Sequence, residues 1–486
     1  MSKTFHFFSG TNRDLKTNDI IKNFKESWSE DRAKTLQILL NLRDPRNGSG
    51  EKNSSRIIFA LIKKEYPVLY KILLSYIIEY GSWKDLLEIA VLTKDISSEI
   101  EVKYIASQLM KDIKTIDNKV SLCAKWAPSE GSSFDKGTLK LASKIMTELN
   151  MRPREYRKML SSLRSKINLV EVNMSGHKFE LISFEQVPSK CHMIYKDAFS
   201  RIENAKKCKD PKRSILVQRY SDYKEKLANK EVSIKFKGLQ PHEIVSKYKR
   251  DYQVDIVLEE QWAAIRDSIK KVGLFKNSIA ICDVSGSMTG LPMDVSIALG
   301  ILISEVCEGP YKNNVITFSN TPEIHNISGN SLLSKINVVS KMSWGMNTNM
   351  TKVFELLLNI ALIHKLKQDE MIDTIFILTD MEFNCAVSTQ LLENNQFSGY
   401  FNKKISEEYN KNGYKLPKIV LWNLRSSPNN RPFNETDENV AILSGFSAEM
   451  LKGLLEFGLT SPIDLMNNII KKYVLSQEIL DVLNTL

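Results

Sequence analysis

Ser278-Ile-Ala-Ile-Cys-Asp283-Val-Ser285-Gly-Ser287 is the stretch on which the reading of this chain turns. Its first five residues form a short, almost unbroken apolar run, the pattern of a strand buried on both faces. The next five place a carboxylate and two hydroxyls at alternate positions, so on an extended tip they point the same way. Gly286 permits a tight turn into a following helix, where Asp294 stands near the start and Val295–Cys307 is apolar almost all round. Outward from there, Val315–Phe318, Thr374–Thr379, Lys418–Asn423 and Val440–Leu443 read as further strands. Leu332–Val339, Lys352–Leu366, Ser398–Asn412 and Ala448–Phe457 read as helices between and after them. Strands alternating with helices imply an α/β, doubly wound, mainly parallel sheet. Ligands of such sheets bind beyond the carboxyl ends of the strands.

That rule selects the chemistry. Asp283, Ser285 and Ser287 follow the first strand, Asp380 follows Thr374–Thr379, and Thr348 lies in a loop just before a helix. Oxygen-only donors with little charge suit a hard cation, Mg²⁺ before Mn²⁺ or Ca²⁺. Taken alone, D-x-S-x-S is also a common helix N-cap cluster.

The arrangement resembles the von Willebrand factor A domain, whose metal-ion-dependent adhesion site (MIDAS) uses D-x-S-x-S, a later Thr and an Asp after the fourth strand. By position the resemblance assigns metal binding to Asp283, Ser285, Ser287, Thr348 and Asp380. One departure is that Asp380 precedes Met381-Glu382 where the family usually has Gly, which leaves the role of Glu382 open.

Upstream of residue 275 the periodicity is helical. Ser54–Ala90 reads as three short helices, with Pro67 in the first turn of the second and Ser82 capping the third. Segments 95–115, 135–149, 153–165, 194–207, 213–228 and 254–272 continue the pattern as an irregular, solenoid-like stack of helix pairs. Leu42-Arg43-Asp44-Pro-Arg46-Asn-Gly-Ser-Gly50, Tyr80-Gly-Ser-Trp83-Lys-Asp85 and Ala124-Lys-Trp126-Ala-Pro128 resemble the helical module of Ro-type (TROVE) ribonucleoprotein proteins. With Arg154-Glu-Tyr-Arg157, Val187-Pro-Ser and Leu443-Ser-Gly-Phe-Ser447, the chain is similar to an uncharacterised Ro-like family of plants, fungi and giant viruses. The resemblance implies a HEAT-like, TROVE-like helical module over 13–274, a von Willebrand A (Rossmann-like) domain over 275–460, and a helical tail over 461–486 packing on one of them. It also implies RNA binding.

Charge points the same way. Residues 1–274 hold 51 basic and 35 acidic side chains, whereas 275–486 hold 17 and 22. A basic half facing an acidic one favours a polyanionic partner for the former. Two clusters are candidate RNA-binding residues: Arg152, Arg154, Arg157 and Lys158, then Lys206, Lys207, Lys209, Lys212 and Arg213 around Pro211. Tyr156, Tyr220 and Tyr223 are candidate stacking surfaces. Such clusters are as often solvated helix faces, and Trp83 and Trp126 near helix ends read as core anchors.

Six cysteines without a C-x-x-C pair read as reduced thiols, and no apolar stretch reaches the roughly 20 residues that span a bilayer. The expectation is a soluble cytoplasmic protein, with a virion location if the chain is viral; abundant Lys, Ile and Asn are compatible with an AT-rich giant-virus genome. Neither a P-loop nor H-E-x-x-H occurs, and Ser285 and Ser287 have no neighbouring base in sequence, so no catalytic residues are assigned. Two readings stand: a non-enzymatic RNA-binding scaffold with a divalent-metal ligand site, contacting structured or single-stranded RNA ends, or a metal-dependent protein–protein adaptor that grips an acidic partner without RNA.

Overall fold

The computed structural model describes residues 2–11, 15–115, 119–136, 139–202, 211–283, 285–317, 322–342, 350–380, 405–425, 440–458 and 461–486. Its N-terminal part is mostly helical and its C-terminal part holds a mixed α/β sheet. Six strands form that sheet: β1 (Ser278–Cys282), β2 (Asn314–Thr317), β3 (Ile324–Asn326), β4 (Thr374–Thr379), β5 (Lys418–Asn423) and β6 (Val440–Ser444). Their order is β3-β2-β1-β4-β5-β6, and every pairing is parallel except the antiparallel edge pair β2–β3. Every residue of the central strands β1 and β4 is buried, and all but Ser278, Thr374 and Thr379 are apolar. Helix Leu291–Val306 is buried almost all round, and it packs on β1, β2 and β4. Gly300 permits that approach, since a Cβ there would lie 2.2 Å from the Cys282 Sγ.

The strands expected over 278–282, 374–379 and 418–423 form as read, while β3 is an addition. Three residues are too few for a period-two pattern to register.

The chain divides into two compact units, one of Met1–Glu51 with Phe236–Val474, the other of Lys52–Lys235 with Leu475–Leu486. This differs from a boundary at 274/275, and the reason is physical: the sheet recruits helical cladding from upstream. Helix Pro241–Asp251 lies on Leu291–Val306, with the Lys249 Nζ 2.7 Å from Asp294 and the Ser246 hydroxyl donating to the same carboxylate. The Trp262 indole N–H donates to Glu305 at 2.8 Å, and Glu259 accepts the Leu332 N–H at the start of helix Leu332–Ser340. Helix Lys3–Gly10, which precedes the expected start of the helical module, packs on β6 and on helix Pro462–Ile470. The tail is divided likewise: 461–474 belongs with the sheet and 475–486 with the second unit, where helix Gln477–Thr485 meets Pro67–Glu79.

The second unit is helical. Lys52–Glu65, Pro67–Glu79, Trp83–Leu92 and Glu99–Lys114 stack through Ile58, Ile62, Leu69, Leu73, Leu86, Ile89, Ile105 and Leu109, all buried. Further on, Ser189–Ser200 and Arg213–Ala228 pack on each other around an aromatic core of Phe184, His192, Phe199, Tyr220 and Tyr223, while Tyr156 of helix Pro153–Ile167 is buried with its hydroxyl on the Pro128 carbonyl.

Candidate functional site

The parallel register builds the carboxyl end of the sheet. Cys282 on β1 stands opposite Leu378 on β4, and the ladder continues for one step as the Asp283 N–H donates to the Leu378 carbonyl at 3.0 Å. Asp283 therefore lies level with Thr379, whose hydroxyl donates to its Oδ2 at 2.9 Å, while the Ser285 N–H donates to its Oδ1 at 3.0 Å. Asp380 follows directly. Both carboxylates are buried, Asp283 at 0% and Asp380 at 1% exposure. The Ser285 and Ser287 hydroxyls are half-buried and lie 2.9 Å apart. Thus four of the five metal ligands expected from sequence sit at the ends of two adjacent strands; Thr348 and Glu382 lie outside the described residues.

Burial pushes the Asp283 carboxyl above its ordinary range, and the neighbouring Asp380 adds to that. Hydrogen bonds from Ser285 and Thr379 pull it partly back. Two buried carboxylates flanked by hydroxyls are an all-oxygen set whose mutual repulsion a cation would relieve, so the donor chemistry fits a hard divalent ion. Among the described residues no group of three His, Cys, Asp or Glu side chains could hold a metal, which leaves the hydroxyls to complete the set.

Sequence reading missed one side chain here. Arg425 follows β5, is half-buried, and its guanidinium donates to the Ser287 carbonyl, while its own N–H donates to the Asn423 Oδ1 at 2.9 Å. A lone Arg after a strand carries no pattern that would have singled it out.

The basic residues separate into two kinds. Arg152, Arg154, Arg157 and Lys158 are all exposed at the start of helix Pro153–Ile167, with Arg157 donating to Glu130 at 2.5 Å. Lys212 is exposed as well. Arg213 is not: it is 7% exposed, donates to the Ala198 and Arg201 carbonyls, and lies 5.5 Å over the Phe179 ring. It ties helix ends together, so its reading as a phosphate contact is corrected. Lys206, Lys207 and Lys209 lie outside the described residues. Tyr156, Tyr220 and Tyr223 are likewise corrected from stacking surfaces to core; the Tyr156 hydroxyl donates to the Pro128 carbonyl at 2.9 Å. Trp83 is buried as a core anchor, and Trp126 is half-buried with the Lys84 and Lys125 ammonium groups 5.7 and 5.9 Å from its ring.

The Arg43-Asp44-Pro-Arg46-Asn-Gly motif has a structural explanation. Asp44 is buried, accepts from the Arg46 N–H at 2.8 Å and from the Tyr473 hydroxyl at 3.3 Å. Gly48 packs so closely that a Cβ would meet the Asn41 carbonyl oxygen at 2.0 Å.

No helix among the described residues is long and apolar enough to cross a membrane. Residues 1–104 and 100–275 match the model of a family described as a domain of unknown function (DUF2828), and residues 277–473 match another described as a domain of unknown function (DUF7788). An uncharacterized protein of Acanthamoeba polyphaga mimivirus is 38% identical over 499 residues, spanning 98% of this chain and 86% of that protein.

Proposed function

The chain belongs to the DUF2828 family and is similar to a giant-virus protein, and on that premise we propose that it is a non-enzymatic RNA-binding scaffold carrying a divalent-metal ligand site. One observation carries the RNA half. The unit of Lys52–Lys235 and Leu475–Leu486 holds 35 basic and 24 acidic side chains, whereas the other holds 33 of each, so the whole net charge of +11 falls on the helical unit. Phosphates would displace counterions along its exposed arginines and lysines, with Arg forks matching phosphate oxygens. The strand order, with one antiparallel edge and the donors at the carboxyl ends, supports the finer reading of a von Willebrand A-like domain. Asp283, Ser285, Ser287 and Asp380 would hold Mg²⁺, Mn²⁺ or Ca²⁺, joined by Thr348 if the resemblance carries over. A bound cation supplies a coordination position for an oxyanion of a partner.

The test is affinity for single-stranded RNA as a function of salt. Replacing Arg152, Arg154, Arg157 and Lys158 with Gln should cut the slope of log affinity against log salt by roughly 0.7 for each phosphate no longer neutralised, about two to three in all. An unchanged slope removes this cluster from the RNA path, and no binding by the unaltered protein at low salt removes the function.

Two buried carboxylates, with Arg425 donating to the Ser287 carbonyl of the same loop, favour a second reading, a protein–protein adaptor whose metal grips an acidic side chain. It predicts loss of a protein partner in Asp283→Ala and feeble RNA binding throughout.

A further inference from the structure

The helical unit contains a cleft of about 300 Å³ that the basic surface does not explain. It opens where Pro153–Ile167 ends, Val170–Ser175 begins and Ser189–Ser200 starts. Leu122, Ile167, Leu169 and Val187 supply apolar walls. Polar groups converge on it from three directions. Asn168, at the left-handed end of its helix (φ +54°), donates to the Leu181 carbonyl at 3.3 Å and accepts from the Asn173 amide at 2.7 Å. Asn173 is itself 5% exposed, and its amide oxygen has no hydrogen bond among the described residues. At the rim stand two ammonium groups: Lys125, 3.2 Å from Glu171, and the exposed Lys235, which donates to the Gln186 carbonyl at 3.0 Å.

We propose that this cleft is a nucleobase subsite, taking one unstacked base of a single-stranded RNA between its apolar walls. The inference rests on the RNA reading above. Volume, walls and polar edge each contribute. About 300 Å³ lies at the small end of ligand cavities, enough for one base with its ribose. Aliphatic walls meet a base's faces, while a side-chain amide reads the donor and acceptor edge that pairing would otherwise occupy. The flanking phosphates fall to Lys125 and Lys235. Burying a base against apolar walls adds affinity without adding charge neutralisation, and that separates it from the exposed arginine cluster.

The test uses the full chain and an oligouridylate carrying 5-iodouridine. Photocrosslinks should map to peptides spanning 167–191. Cys191 lines the cleft, so Cys191→Phe should fill it and lower affinity about tenfold by excluding the base from the apolar walls. The salt slope should stay unchanged, since every phosphate keeps its cation. Asn168→Gly keeps the left-handed backbone while removing the amide together with its bonds to the Leu181 carbonyl and the Asn173 amide, so it should weaken binding several-fold even if the Phe variant folds poorly. RNA binding that persists with neither variant affected, and with crosslinks elsewhere, overturns the subsite and leaves the RNA reading standing. Absence of any RNA binding by the unaltered chain overturns both.

Discussion

The two units handle charge in opposite ways. In the sheet-bearing unit basic and acidic side chains balance, yet two carboxylates are taken out of water at one point, where strand register holds them. The helical unit carries the whole excess of positive charge, and its arginine cluster at 152–158 lies on the outside. It also buries an opposite-charge pair: Lys63 and Glu101, 2% and 1% exposed, lie 2.8 Å apart, with Lys63 donating to the Thr93 hydroxyl and Tyr70 donating to Glu101. The Lys63–Glu101 pair sets opposite charges against each other, whereas the Asp283 carboxyl is raised both by burial and by its neighbour Asp380.

The most damaging way to probe that contrast is to break the paired charge. Lys63→Ala should strand the Glu101 carboxylate and cost about 3–5 kcal/mol, measured by denaturant unfolding. Lys63→Met with Glu101→Leu should recover most of it, and an equal loss in both would mean packing, not charge, sets the effect. Neither variant should alter the response of the other unit to Mg²⁺.

Next in size is the cation itself. At a hundredfold excess over its dissociation constant, Mg²⁺ should stabilise the protein by about 2.7 kcal/mol, seen as a melting shift reversed by EDTA and absent in Asp283→Ala. Asp283→Asn should act in the opposite sense without metal. Burial and Asp380 raise the Asp283 carboxyl, so the folded state holds that proton more tightly than the unfolded one. This group's cost is therefore absent below its unfolded pKa and fully present above its folded one. The stability advantage of the Asn variant in EDTA should shrink as pH falls from neutral toward 4. A constant advantage would mean the carboxylate is not what burial penalises.

The smallest test separates adjacent residues that sequence could not. Arg213→Ala should cost about 1–3 kcal/mol by leaving the Ala198 and Arg201 carbonyls without their donor. Lys212→Ala should change stability by less than about 0.5 kcal/mol. Equal values would return Arg213 to the surface.

Those two residues also mark where reading the sequence ran out. Helical spacing tells which side chains share a face, but not which face the rest of the chain will cover, so Tyr156, Tyr220 and Tyr223 looked available and are core. The strands over 278–282 and 374–379 were legible because burial on both faces leaves a continuous apolar run. Asp283 and Asp380 were legible as the first polar acids past the ends of those runs. Strand β3 and Arg425 were not: one is three residues long, the other has significance only through a carbonyl 138 positions away. The two family matches divide at 275/277, beside the boundary read from sequence, while the compact units differ from it because the helices of 236–274 pack with the sheet-bearing unit.

That discontinuous division bears on synthesis. Helix Lys3–Gly10, with Phe5, Phe7 and Phe8 buried in the finished protein, packs against β6, which leaves the ribosome more than 400 residues later. At the fastest usual elongation, about 20 residues per second, those aromatics wait on the order of twenty seconds for their final neighbours. The intervening residues 52–235 can meanwhile organise most of the helical unit, though Gln477–Thr485 reaches it later than β6 emerges. The nascent chain thus passes through a period with an apolar leading segment and a half-made helical unit, a state that invites chaperones before either site exists.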